Sequence, residues 1–235
     1  MSDRRLLLRA DKQPLTVSVI VPCAAEHVSK LAGLLSNLHN QTRKPDEVVI
    51  AVSGCERSKI PKLNFSRISG YTFDVVVVHD RNKAWAGANR NRAAAAAQGD
   101  ILICQDADDL AHRQRVELIA ALFEQYEVDH LMHFFYYLNG DNAPFSISDA
   151  ERRSVYCDDF TTLMKAEYRV GVVRHVHNGN CAVTKKLTQA VKWPDLHRGQ
   201  DVAFSRLVYA HTKNTVVTQL PLLTYRQNLS TKPRA

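Results

Sequence analysis

Gly99-Asp-Ile-Leu-Ile-Cys-Gln-Asp-Ala-Asp-Asp109 is the stretch on which the fold turns. Ile101 to Cys104 is an apolar run of strand type, and the carboxylates Asp106, Asp108 and Asp109 follow at once. Buried strands do not carry clustered charge, so these three belong where the strand leaves its sheet. Asp106 and Asp108 stand two apart and can face one cation, with Ala107 between them small enough to admit a ligand. Carboxylates this close repel one another unless a cation or hydrogen-bond donors compensate. The competing reading is a solvated acidic turn in which Asp108 or Asp109 caps a helix beginning near Ala111.

Upstream, Thr16 to Val21 is a strand dense in β-branched residues and stopped by Pro22. Val28, Leu31, Leu34, Leu35 and Leu38 then recur at helical spacing. Val48 to Val52 is a second strand, closed by Ser53-Gly54, and Phe73 to Val78 a third. The alanine-rich helix Ala86 to Gln98, ended by Gly99, leads into the opening stretch. Strands alternating with helices predict an α/β fold, a doubly wound, mostly parallel sheet of Rossmann-like type with helices on both faces. Such sheets bind ligands at the carboxyl ends of their strands, which places Pro22 to Glu26, Ser53-Gly54, His79 to Lys83 and Gln105 to Asp109 along one edge.

Downstream, a helix from His112 to Tyr126 buries Val116, Ile119, Ala120 and Phe123. Leu131 to Tyr137 is a strand, and the polar, turn-rich stretch to about Val155 has no definite reading. Arg169 to Val176 and Cys181 to Thr184 follow as strands, with Thr184 capping a helix that reaches Trp193. Asp201 opens a helix through His211, and Thr215 to Leu220 is the last strand. Residues 1–14 read as a flexible basic leader and residues 15–235 as one domain.

The 235 residues suffice for one sizeable core, and 45% hydrophobic with 23% charged residues is ordinary for a soluble globular chain. No apolar run approaches membrane-spanning length. Leu6-Leu7-Leu8 is too short for a signal-peptide core, so a cytoplasmic protein is expected. Five cysteines, odd in number and never in a C-x-x-C pair, fit a reduced compartment and indicate neither zinc nor a disulfide framework. The net charge of +7 is spread along the chain without a nucleic-acid-binding signature. Phosphate-bearing small molecules or an anionic surface account for it as well, which leaves peripheral membrane contact open.

Four blocks carry a resemblance: Val17-Ser-Val-Ile-Val-Pro22, Gln41-Thr-Arg-Lys-Pro-Asp-Glu-Val-Val-Ile50, Ala86-Gly-Ala-Asn-Arg-Asn91, and Gly99-Asp-Ile running to Asp106-Ala-Asp-Asp109. In order and spacing they resemble inverting glycosyltransferases of family 2, with the GT-A fold. The resemblance implies a donor half over 15–115 and an acceptor half over 116–235. It implies transfer, with inversion, of a sugar from a nucleotide-diphosphate sugar to a hydroxyl of a glycan, glycolipid or protein-linked glycan. Asp106-Ala-Asp108 is similar to the family's D-x-D signature, so Asp108 is expected to hold Mn²⁺ or Mg²⁺, with Asp106 at the metal or the donor ribose. Gly199-Gln-Asp201 resembles the family's Glu-Asp motif and implies Asp201 as the catalytic base. Pro22, Ser53, Asp80, Arg90 and Asn91 are the further donor contacts expected, and Asn228 is expected as a metal ligand in the tail. Asp109 is left as a cap.

Three positions depart from the family pattern: Ser53 where an aspartate usually reads the base, Gln200 for a glutamate, and Asn228 where a histidine often stands. They motivate a second reading, a nucleotide-sugar-binding protein of the same fold without turnover. A nucleotidyltransferase would want a glycine- and base-rich loop after the first strand, and Pro22-Cys-Ala-Ala-Glu26 has none. A nucleic-acid partner is disfavoured because the carboxylates stand where phosphates would lie. His175 and His177 are expected either to face the acceptor or to sit in the core, and Trp85 and Trp193 to pack.

Overall fold

The computed structural model describes residues 6–60, 72–137, 142–157, 160, 167–169, 172–174 and 177–226. His175 and Asn228 lie outside the described residues, as does most of the irregular stretch after Ile60.

The amino-terminal half is built as expected. Strands β1 (Val17–Ala24), β2 (Glu47–Ser53), β3 (Asp74–Asp80) and β4 (Ile101–Cys104) lie in the order β3-β2-β1-β4, all parallel. A short 3₁₀ turn, Ala25–Lys30, runs into helix α1 (Leu31–His39), and α2 (Ala86–Ala96) joins β3 to β4. The alternation along β1 assigns the two faces of the sheet. Val17, Val19 and Val21 pack with Leu31, Leu35 and Leu38 of α1, whereas Ile20 joins Val49 and Ala51 against Ala93 and Ala94 of α2.

Three boundaries differ from the expectation. β1 runs through Pro22 to Ala24. Residues of a parallel strand bond alternately to either side, and Ile20 O accepts the Gln105 N–H on the β4 side. Pro22 faces that same side two residues on, where β4 has ended, so its missing N–H costs no ladder bond. Helix α2 stops at Ala96, with Ala97 extended, so Gly99 is not its cap. A Cβ on Gly99 would overlap the Ser18 main chain, and Gly99 N–H donates to Ser18 Oγ at 2.8 Å, so this glycine answers a close approach. Helix α3 (Arg115–Gln125) begins four residues beyond Ala111, with Gln114 rather than an aspartate before it.

The second half is mixed. β5 (Leu110–Ala111) pairs with the last strand, and β6 (His130–Tyr137) is separated from β4 by β10 (Cys181–Thr184), antiparallel to both. β6 therefore keeps the direction of β4, and β11 (Thr215–Tyr225) is parallel to β6. The stretch without a sequence reading supplies α4 (Ile147–Arg152) and β7 (Ser154–Tyr156), and β7 borders β11. β8 (Glu167–Arg169) and β9 (Val172–Arg174) pair antiparallel where one strand was expected. Thr184 caps α5 (Lys185–Ala190) through the Leu187 N–H, and that helix ends three residues short of Trp193. Helix α6 (Gln200–His211) follows Gly199, whose φ of 74° is left-handed. In the expected leader, Leu7 O accepts the Glu127 N–H and Arg9 N–H donates to Gln125 O.

Candidate active site

The carboxyl ends of β1 and β4, the start of α2 and the loop before α6 enclose a cleft of about 790 Å³. That volume is in the range of small-molecule sites. Pro22, Arg90, Asp106 and Asp108 line it together with Arg198 and Gln200. The edge expected from strand polarity thus carries a cleft of this size, and a second one of about 550 Å³ lies near Leu15, Asp100 and Lys185.

The acidic stretch turns tightly after β4. Asp109 N–H donates to Asp106 O at 3.3 Å, which folds Asp109 back beside Asp106. Arg90 on α2 is 2% exposed and donates through Nη2 to Asp106 Oδ1, while its Nε and Nη1 are buried without a hydrogen-bond partner. Burial would raise the Asp106 carboxyl, but the charge and the hydrogen bond of Arg90 hold it below the usual carboxylate range. His177 Nε2 stands 3.6 Å from Asp106 Oδ2. Gly179 N–H donates to His177 Nδ1 at 3.0 Å, so the proton of the neutral ring is on Nε2, toward Asp106.

Asp109 is the residue whose role changes. It is 2% exposed, its Oδ1 accepts the Arg226 N–H at 2.9 Å, and its Oδ2 is buried with no hydrogen-bond partner. Burial first, and then repulsion from Asp106, pushes its carboxyl up to about 8. It caps no helix. One ligand atom each from Asp106, Asp109 and His177 lie within 4.8 Å of one another, a donor set suited to a hard divalent cation. A buried, unpartnered carboxylate oxygen beside a second carboxylate fits such an ion. His177 as oriented presents N–H rather than a lone pair, so the two aspartates are the ligands this arrangement offers. Asp108, the expected ligand, instead meets Lys30 Nζ at 3.1 Å on the cleft wall.

Under the cluster lies a residue that sequence reading did not single out. Arg115 is 1% exposed and donates to His133 Nε2 at 3.0 Å, Gln105 Oε1 at 2.7 Å, Cys104 O at 2.8 Å and Gly179 O at 2.7 Å. Burial lowers its guanidinium to about 10, still cationic at neutral pH. The fixed positive charge therefore sits beneath the carboxylates, and its bond to Gly179 O ties the His177 turn to the end of β4. Arg115 is one of three charged residues in α3, with Glu117 and Glu124, so its burial had no local signal in the sequence.

The other expected contacts divide. Pro22 lines the cleft. Ser53, expected to reach a base or ribose, is 1% exposed, and its Oγ accepts from Asn89 Nδ2 at 2.8 Å. Asp80 pairs with Arg92 at the end of β3, away from the cleft lining. Asn91 is half-buried, and its amide is bound to the Trp193 main chain at both ends. Asp201 is the second residue of α6, next to the cleft-lining Gln200, with its Oδ1 accepting the Val202 N–H at 2.9 Å. Trp193 packs in a stack with Phe204, as expected of a tryptophan, whereas Trp85 remains 37% exposed on the cleft wall.

Among solved structures, TarS of S. aureus in complex with UDP-GlcNAc superposes with a TM-score of 0.68 at 17% identity, over 92% of this chain and 60% of that one. The UDP complex of the same protein gives 0.65 at 19% identity, over 90% and 60%. A mycobacterial protein gives 0.59 at 16% identity, over 92% of this chain and 69% of that one. The chain thus spans about 60% of the length of the TarS fragment it matches, and at these identities the likeness is one of fold. Comparison with curated protein sequences gives no match. The model of the glycosyl transferase family 2 matches residues 18–189, from β1 through α5 and across the acidic turn. With that match over most of its length and a GT-A fold around the cleft, the chain belongs to glycosyl transferase family 2.

Proposed function

We propose that this chain is a metal-dependent inverting glycosyltransferase that moves a sugar from a nucleoside-diphosphate sugar to an acceptor hydroxyl. The observation that carries the reading is one cleft lined both by the acidic turn and by the loop leading into Asp201. The solved relatives are described in complex with UDP and UDP-GlcNAc, which makes a UDP-sugar the first donor to try here.

Asp106 and Asp109 would hold Mn²⁺ or Mg²⁺, with Asp108 beside them. When bound, the cation supplies Lewis-acid neutralisation of the diphosphate leaving group. Arg90, paired to Asp106 and inside the cleft wall, keeps that carboxylate ionised and adds positive charge on the donor side. Asp201 takes the proton of the acceptor hydroxyl as its oxygen bonds to the anomeric carbon. The bond from that carbon to the diphosphate oxygen breaks, and the nucleoside diphosphate leaves with the electron pair. The five free cysteines support a reducing, cytoplasmic setting for this chemistry.

Calorimetric titration of the full chain with UDP, UDP-GlcNAc and other nucleoside diphosphates, with and without Mn²⁺, tests the reading. Mn²⁺-dependent binding of one of them, with slow release of free sugar from the matching donor, is expected. If no nucleoside diphosphate bound in either condition, the donor reading would be wrong. Binding without sugar release or transfer would instead favour the non-catalytic alternative.

A further inference from the structure

Asn91 adjoins Arg90 on α2 but turns away from the cleft. Its Nδ2 donates to Trp193 O at 2.7 Å and its Oδ1 accepts the Trp193 N–H at 3.0 Å. An amide matched to one peptide unit at both ends fixes the position and the direction of that segment. One turn earlier on the same helix, a Cβ added to Gly87 would overlap Pro194 O, so main chain meets main chain there. At the start of α2, Trp85 lies with its ring centroid 4.3 Å from that of His197. Three contacts from one helix thus fasten the segment 193–197, and Arg198, Gly199, Gln200 and Asp201 continue directly from it. Trp193 itself is 1% exposed and stacked at 4.0 Å on Phe204 of α6, which locks the segment to the helix that follows.

We infer that Asn91, with Gly87, is a positioning residue: from α2 it sets where the loop before α6, and with it Asp201, stands across the cleft from the acidic turn. The inference rests on the reading of Asp201 as the base, but the clamp itself is a separate geometrical claim. Arg90 contacts Asp106 and its neighbour Asn91 contacts the segment that leads on to the cleft-lining Arg198 and Gln200, so one turn of α2 meets both the acidic turn and that segment. A misplacement of about 1 Å in such a group costs on the order of a hundredfold in rate.

The test compares Asn91→Ala, Asn91→Asp and Gly87→Ala with the native chain. UDP affinity in the presence of Mn²⁺ should stay within about twofold, while turnover of a saturating UDP-sugar falls roughly 10- to 100-fold. Asn91→Asp supplies a readout that general loosening does not move. A protonated carboxyl, like an amide, offers one donor and one acceptor, so the variant-to-native rate ratio should recover as pH falls from 8 to 5.5. The Trp193 carbonyl that Asn91 Nδ2 now meets would repel a carboxylate there, which raises the carboxyl and moves the recovery into reach.

The chain has two tryptophans, so a Trp85→Phe background leaves Trp193 as the single emitter. In that background Asn91→Ala and Gly87→Ala should shift emission to the red and speed tryptic cleavage at Lys192 and Arg198, with cooperative melting retained. Unchanged emission and cleavage would overturn the inference. So would a loss of UDP affinity that matches the loss of rate, since Asn91 would then act at the donor. Failure of the native chain to bind UDP with Mn²⁺ would sink the functional reading, while emission and proteolysis still judged the clamp.

Discussion

Asp109 shows what adjacent residues of one type conceal. Three aspartates in Asp106-Ala-Asp-Asp109 are alike in sequence, and spacing favours the pair two apart. The turn closed by Asp109 N–H on Asp106 O reverses that ranking by returning Asp109 to the side of Asp106 and sending Asp108 to Lys30. No periodicity encodes such a turn, so the acidic turn was legible from the sequence and the placement of its three carboxylates was not. Ser53 and Asn91 illustrate a related point: both stand at the ligand edge, and there Ser53 bonds Asn89 and Asn91 the Trp193 main chain. The metal assignment yields a contrast. Asp109→Asn should weaken Mn²⁺ binding by roughly tenfold or more, as loss of an inner ligand does. Asp108→Asn, which frees Lys30, should weaken it less. Paramagnetic resonance of free Mn²⁺ ranks the two, and equal losses, or a larger one for Asp108→Asn, would return the ion to Asp108. Asp201→Asn should bind UDP as the native chain does and release no sugar, which a paired binding and rate measurement checks.

At the scale of elements, local pattern carried the parallel half and failed where partners are distant. β1, β2 and β4 could be read because apolar runs buried on both faces look alike whatever their neighbours are, and β3 by its run of valines at the sheet edge. β10 is four residues long, Cys181 to Thr184, and its sequence cannot say that it inserts antiparallel between β4 and β6. α4 did carry a local signal, a capping box in which Ser146 and Asp149 exchange side-chain and main-chain bonds, hidden in a polar stretch. Gly99 joins these levels. The turn between α2 and β4 passes so close to Ser18 that only hydrogen fits, and Glu47 also accepts from Gln98 and Gly99 N–H there. Gly99→Ala should therefore destabilise the fold by about 1–3 kcal/mol, the usual cost of overpacking. For a chain of this size that is roughly 2–4 °C in Tm per kcal/mol, read by calorimetry. A Tm within 1 °C or so of native would mean that the turn relaxes freely.

For the whole molecule, the second half of the sheet is closed over histidines that it holds neutral. His130 is fully buried at the start of β6, its Nε2 has no hydrogen-bond partner, and burial lowers it to about 3 from 6.5. His133 is lowered as well, by burial and then by the charge of Arg115, whose Nε already donates to its ring. Between pH 6.5 and 3 the unfolded chain therefore binds protons at His130 that the folded chain refuses, so stability rises with pH across that window and falls on acidification. Each fully shifted histidine contributes a slope of at most about 1.4 kcal/mol per pH unit. Asp109 works in the opposite sense, since a carboxyl held up to about 8 in the fold keeps a proton that the unfolded chain has lost above pH 4. Comparing the native chain with His130→Leu cancels that contribution, because Asp109 is common to both. Urea unfolding at pH 7 and pH 5 should then show a clearly smaller loss of stability for His130→Leu, with the difference approaching 1.4 kcal/mol per unit below pH 6. Parallel losses in the two proteins would mean that the interior around β6 admits the proton, and that the sheet is more open there than its burial implies.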